Sequence, residues 1–257
     1  MELLKDKTVV VMGVANKWSI AWAIAEEFRA AGANLIFTYN RPGSGRNLEK
    51  LLVEEGYENP VTIACDVSKE GDIRRAFEAI RGIAPKIHGV VHSIAHAKKE
   101  ELSGRYADTS REGFLMAQEI SVFSFVEVAR EASALMDEGG SLITITYLGG
   151  ERVIKNYNVM GVAKAALDAS MKYLARDLGP GQIRVNAISS GPVKTLAAKG
   201  VGEFNKIAEI VELKSPMERM VRPREIGQAA LFLMSEMSSG VTGEILHVDC
   251  GYNIISL

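Results

Sequence analysis

"TVVVMGVANKWSIAWAIAEEFRAAGANLIFTY", running from Thr8 to Tyr39, decides the fold. An apolar run, Thr8–Met12, breaks at Gly13. A helical pattern follows and stops on Gly32, a residue that takes the left-handed conformation of a helix end at little cost. A second apolar run, Leu35–Tyr39, comes next. Neither run alternates cleanly between apolar and polar residues, the mark of strands covered on both faces. Two such strands joined through a helix are parallel neighbours.

The same rhythm continues along the chain. Further strands are expected at Val61–Cys65, Gly89–Ile94, Ser141–Thr146, Arg184–Ile188 and Ile245–Val248. Helical patterns lie between them: one opening at Ser68 as N-cap, a long one over residues 110–137, one over residues 156–178, and "RPREIGQAALFLMSEM" with Pro223 in its first turn. This alternation predicts an α/β fold, a single Rossmann-type domain over residues 1–257. It is a doubly wound, parallel, seven-stranded sheet with helices on both faces. No linker or repeat divides it. One long irregular stretch, about residues 191–223 with a weak helix "EFNKIAEIVELK", reads as a lid or binding loop, since such excursions seldom occur as slack.

Composition narrows the function. Thirty basic and 32 acidic residues leave a net charge of −2, with no basic stripe for nucleic acid. No apolar stretch reaches the roughly 18 residues of a spanning helix, and the start "MELLKDKTVVVMG" lacks the pattern of a signal peptide. Two cysteines, Cys65 and Cys250, have no redox or metal spacing, so a cytoplasmic protein is expected. His88, His92 and His96 recur every four residues but in and beside a strand pattern, without carboxylate or cysteine at ligand spacing, and no metal site is expected. The methionines Met12, Met116, Met160 and Met171 read as core filler, and Trp18 and Trp22 as packing residues.

The turn after the first strand, "GVANKWSIAWAIA", has Gly13 at the bend and Ser19, Ile20 and Ala21 at the helix start. Small residues let the backbone approach a pyrophosphate, and a helix N-terminus offers free N–H groups. The usual glycine fingerprint is missing, so the pattern favours a dinucleotide site over a turn that binds nothing without deciding it. Asp66 closes the third strand, where it could bond an adenine amino group, and "HSIAHA" closes the fourth. Both lie where ligands bind in such sheets.

A second stretch, "TYLGGERVIKNYNVMGVAK" (Thr146–Lys164), holds Tyr147, Tyr157 and Lys164. Residues seven apart share a helix face, so Tyr157 and Lys164 point the same way. A lysine among small apolar residues needs a partner, which a ribose or a developing negative charge would supply. The spacing alone equally allows a surface lysine and a helix-opening tyrosine.

The stretches "VMGVANKWSIAWAIA", "FTYN", "HSIAHA", "TSREGF", "TYLGGERVIKNYNVMGVAKAALDASMKYLARDLG", "IRVNAIS", "GPVKTLAAKGV" and "SGVTGEILHVDCGY" together resemble the bacterial enoyl-ACP reductases, of the short-chain dehydrogenase/reductase superfamily. They span nearly the whole chain in order. The seven-residue Tyr–Lys spacing, the extra tyrosine and the lengthened first turn are specific to that family. The resemblance implies reduction of trans-2-enoyl thioesters on acyl-carrier protein by NADH or NADPH. It implies catalytic Tyr147, Tyr157 and Lys164. Implied cofactor contacts are Gly13, Ser19, Ile20, Asp66, Val67, Ile94, Lys164, Val193, Lys194, Thr195, Leu196 and Ala197, with Ala97 as a substrate-backbone contact. A homotetramer follows from the same resemblance. The chain departs from the family at His96, Ser190 and Cys250, none of them catalytic. A carbonyl-reducing member of the superfamily (3-ketoacyl reductase type) and a nucleotide sensor without turnover are the competing expectations.

For the cofactor, the second strand ends "FTYNRPGSGR". No acid stands there for a ribose 2′-hydroxyl, while Arg41 beside Asn40 suits a 2′-phosphate, with Ser44 and Arg46 expected in a Pro-Gly loop. The expectation leans to NADPH. Asn40 bonding a bare 2′-hydroxyl, with NADH, is the alternative.

Overall fold

The computed structural model describes residues 2–193, 195 and 204–255, and of 204–207 the backbone alone. Seven strands form one parallel sheet: β1 (Thr8–Met12), β2 (Asn34–Tyr39), β3 (Val61–Ala64), β4 (Gly89–His92), β5 (Gly140–Thr146), β6 (Ile183–Ser190) and β7 (Ile245–Val248). Their order is β3-β2-β1-β4-β5-β6-β7. All pairings are parallel, so each connection is a crossover. The chain reverses direction across the sheet between β1 and β4, which opens a crevice at their carboxyl ends.

Registered residues explain the apolar runs. Ile36, Val10, Val90, Leu142 and Val185 lie side by side across five strands and are all buried. They face α3 (Asp72–Ile83), α5 (Ser124–Ser133) and α6 (Asn158–Leu178), through Phe77, Phe125 and Leu167. Their neighbours Val9, Val91 and Ile143 face the other way, onto α1 (Ile20–Ala30) and α8 (Pro223–Met234), through Phe28 and Leu233. Trp22 of α1 is buried beside Leu48 and Leu52 of α2 (Pro42–Glu54), whereas Trp18 is exposed. The central strands thus bury both faces, and alternation has no role in their sequence, whereas the edge strands β3 and β7 are only partly covered.

Several expected boundaries differ. The expected Pro-Gly loop is the first turn of α2: Pro42 sits where its missing N–H costs nothing, and the Ser44 hydroxyl accepts from the Arg41 N–H at 3.3 Å. Ser68 does not cap α3. Its hydroxyl turns back to Asp66 Oδ1 at 2.7 Å, and the helix starts four residues beyond, at Asp72, after Gly71 at φ 75°. The long helix expected over residues 110–137 is α4 (Arg111–Gln118), one π-helical turn (Glu119–Phe123) and α5, ending at Ser133. Within the irregular stretch 191–223, α7 (Phe204–Lys214) occupies the weak helical pattern. β3 and β4 stop short of Cys65 and Ile94, and β5 and β6 each begin one residue earlier than expected. Among the described residues no helix is long and apolar enough to cross a membrane.

Candidate active site beyond the strand ends

The β1–α1 turn and the β4 exit approach each other at the crevice. Gly13 has φ +100°, and a Cβ there would stand 2.1 Å from the Ser93 carbonyl oxygen, so no other residue fits. The turn ties itself together. Ser19 Oγ accepts from the N–H of Ala15 (3.1 Å) and Asn16 (3.0 Å), and Asn16 Oδ1 accepts from Trp18 N–H at 2.8 Å. Because Ser19 folds back on the loop, its side chain does not cap α1. The amides of Ile20 and Ala21 therefore open the helix without a side-chain partner, a position suited to a pyrophosphate.

Around this turn lie the other expected cofactor residues. Asn40 and Arg41 are exposed at the end of β2, and the Ser44 hydroxyl donates to Asn40 Oδ1 at 2.7 Å. Arg41 has no carboxylate partner among the described residues. Half-buried Asp66 accepts from Ser68 and stands 3.4 Å from Lys69 Nζ. Partial burial opposes its ionisation, but those hydrogen bonds and the lysine outweigh it and hold the carboxyl below its ordinary value. Val67 and Ile94 are half-buried against the core, and Val193 is buried. Thr195 N–H donates to the Val193 carbonyl at 2.8 Å. Lys194, Leu196 and Ala197 lie outside the described residues.

The tyrosines meet beyond β5. Tyr147 leaves the strand extended, and a short turn, Leu148–Gly150, leads on toward α6. That turn packs directly on the helix, because a Cβ at Gly161 would come within 2.8 Å of the Gly149 carbonyl, and one at Gly150 within 2.9 Å of Ala165 N. Asn156 (φ 62°) and Asn158 (φ 32°) bend the chain on either side of Tyr157, which stands as N-cap of α6. Asparagine tolerates such angles better than most residues. The two phenol rings end 5.0 Å apart, inclined at 74°. Burial, then the nearness of Tyr147 and Asp168, pushes the Tyr157 phenol well above its ordinary value, and burial does the same for Tyr147. Both phenols are proton donors throughout the physiological range.

Lys164 lies two turns along α6 and is 5% exposed. Its Nζ donates to the Ile145 carbonyl at 2.6 Å, so its first partner is backbone. An ammonium has three donors, and two remain for a ribose. Burial pushes its pKa down to about 8, against the pull of Asp168. Asp168, one turn further and buried, was missed from the sequence. An acid four residues after a lysine on an apolar face is the signal that would have found it. Burial raises its carboxyl, against the pull of the Thr146 hydroxyl and the Lys164 ammonium.

The histidines go separate ways. His88 Nδ1 accepts from Thr8 N–H at 3.0 Å. His92 is fully buried, with Nε2 2.9 Å from Ser124 Oγ and its pKa pushed down to about 3 by burial and Lys164. Among the described residues no group of His, Cys, Asp and Glu could hold a metal.

A doubly wound sheet with an open helix start after its first strand and a Tyr–Lys pair after its fifth defines the class of short-chain dehydrogenases and reductases. The comparisons are narrower. The family model described as "Enoyl-(Acyl carrier protein) reductase" matches residues 13–253, and the chain belongs to that family. A Bacillus cereus protein named enoyl-(acyl-carrier-protein) reductase (NADH) FabI is 55% identical over 99% of this chain and 100% of its own length. A Staphylococcus aureus relative, named as the NADPH form, is 52% identical over 98% of each chain. The crystal structure of the Bacillus cereus reductase with NADP+ and indole naphthyridinone superposes with a TM-score of 0.98 at 54% identity, covering both chains completely.

Proposed function

We propose that this chain reduces the double bond of trans-2-enoyl thioesters carried on acyl-carrier protein, a reductive step of fatty-acid elongation. The observation that carries this is the pairing of a half-buried, protonated Tyr157 with Tyr147, ring centroids 5.0 Å apart, backed by the Lys164 ammonium. A bound NADPH or NADH would supply hydride to the β-carbon. Negative charge then collects on the thioester oxygen, and the Tyr157 phenol donates to it, a contact that strengthens as the charge develops. A proton drawn from water would complete the α-carbon. Tyr147 supports the thioester from the facing ring. Lys164 holds the nicotinamide ribose with the N–H groups not spent on Ile145 and adds positive potential.

On this reading Gly13, Ser19 and Ile20 seat the pyrophosphate, and Asp66 and Val67 the adenine. Asn40 and Arg41 meet the adenosine ribose. Ile94, Val193, Lys194, Thr195, Leu196 and Ala197 line the nicotinamide end, and the Ala97 backbone meets substrate. The chain is one domain whose segment at about 191–223 closes over cofactor and acyl chain. Its α7 supports this, since Val211 packs with Leu148 and Tyr252 next to Tyr147. The protein works in the cytoplasm as a homotetramer. The test is loss of reduced-nicotinamide absorbance on adding crotonyl-CoA, compared with a 3-ketoacyl thioester. Consumption only with the ketone would replace this reading with carbonyl reduction, and consumption with neither would reject turnover.

A further inference from the structure

Two serines three residues apart, Ser121 inside the π-helical turn and Ser124 just after it, both reach the β4 exit. Ser124 Oγ donates to the Ile120 carbonyl at 2.7 Å and so accepts from His92 Nε2. Ser121 is completely buried. Its hydroxyl accepts from the His96 N–H at 3.0 Å and faces the His96 carbonyl at 3.3 Å, with Met160 Sδ of α6 at 3.9 Å. The π turn makes this possible. An added residue rotates everything after it by about 100° around the helix axis, and π turns recur where a helix must aim a side chain.

The His96 carbonyl and the Ala97 N–H belong to one planar trans peptide, in which they point in opposite directions. Holding the carbonyl on Ser121 therefore fixes the Ala97 N–H facing away from the π turn. That N–H has no hydrogen-bond partner among the described residues, and Ala97 is only half-buried. An unpaired donor of this kind costs stability unless a ligand or water meets it.

We infer that Ser121 is a positioning residue that clamps the His96–Ala97 peptide, so that the Ala97 N–H is presented to the enoyl thioester. The inference rests on the enoyl-reductase reading for its substrate, though not for the clamp itself. Ser121 touches neither substrate nor cofactor. Its hydroxyl sets the angle of a donor that does.

The experiment uses the full-length protein, Ser121→Ala and Ser121→Cys, the second keeping a side chain of similar size with a weaker acceptor. Steady-state rates with crotonyl-CoA, cofactor Kd by titration, and hydrogen exchange of the His96 amide are read on each. Ser121→Ala is expected to lose about tenfold or more in kcat/KM, mostly through KM, as small misplacements do. Its cofactor Kd stays at the wild-type value, its His96 amide loses protection, and Ser121→Cys falls between. Wild-type kcat/KM in a folded variant overturns the inference. So does a Kd that weakens in step with KM, or an equally protected His96 amide. If Ser121→Ala does not fold, Ser121→Cys is judged by the same outcomes. A wild type inactive on crotonyl-CoA rejects the enoyl-reductase reading, and the exchange result still decides whether the clamp exists.

Discussion

Tyr157 and Lys164 lie on one helix and burial acts on them in opposite ways. Low-dielectric surroundings favour the neutral form of each, so the phenol keeps its proton more tightly and the ammonium holds its own less tightly. For Tyr157 this secures a donor. Tyr157→Phe removes that donor and little else, and turnover is expected to fall on the order of 100-fold or more. Reduced-cofactor affinity, measured by titration, stays as in the wild type, and full turnover in the variant removes Tyr157 from the mechanism. For Lys164 the consequence is a pH dependence. The folded pKa of about 8 lies below the ordinary lysine value of 10.5, so between them the unfolded chain binds one more proton than the native one. Native stability therefore gains as pH rises through that window, and the gain is lost as pH falls through 8. It amounts to about 3 kcal/mol for a shift of this size. Denaturant unfolding of cofactor-free wild type and Lys164→Met isolates it from other titrating groups. The difference between them should move in favour of the wild type from pH 8 to 10.5. A flat difference would show that the ammonium's carbonyl partner already offsets its burial.

Elements differ in how much of themselves they write into the sequence. Val9–Val11 and Val90–Val91 announce strands because both faces of the sheet are covered, and no competing helix uses so many β-branched residues. α2 was hidden because "RPGSGR" reads as a loop, although proline and glycine are tolerated in a first turn. The π turn left no trace, since an inserted residue changes neither composition nor hydropathy. Tyr157, Lys164 and Gly13 were legible because their chemistry is rare in those surroundings. Ser121 was not, because its partner is a peptide group and any residue could supply one. The start of α2 also bears on cofactor choice. Arg41 is exposed at its N-cap, next to Asn40 and free of carboxylate partners among the described residues. A 2′-phosphate would find there a guanidinium fork and the positive end of a helix. The wild type is expected to prefer NADPH, and Arg41→Ala to lose about tenfold of that preference, the worth of one charge-assisted hydrogen bond. Specificity constants for both cofactors decide it. A wild type favouring NADH, or an equal effect on both cofactors, would return Arg41 to the solvent.

The molecule as a whole gathers its site by topology alone. Gly13, Asp66, Ile94 and Tyr147 follow β1, β3, β4 and β5, so residues far apart in the chain share one edge of the sheet. The opposite demand, what to do with apolar surface left over, points to assembly. Leu115 on α4, Phe123 in the π turn and Tyr173 on α6 are 53%, 53% and 73% exposed. Large side chains scattered singly need no explanation, but these three belong to the helical segments that would supply an interface between copies. Light scattering at micromolar concentration is expected to give about four times the 27.9 kDa of the chain. Because association stabilises the folded subunit by mass action, the Tm should also rise with protein concentration. Phe123→Asp places an unpaired charge in that interface, so it should lower both the mass and the concentration dependence of Tm. A wild type that stays at 27.9 kDa, with a Tm independent of concentration, would end the tetramer proposal and leave those side chains as ordinary surface.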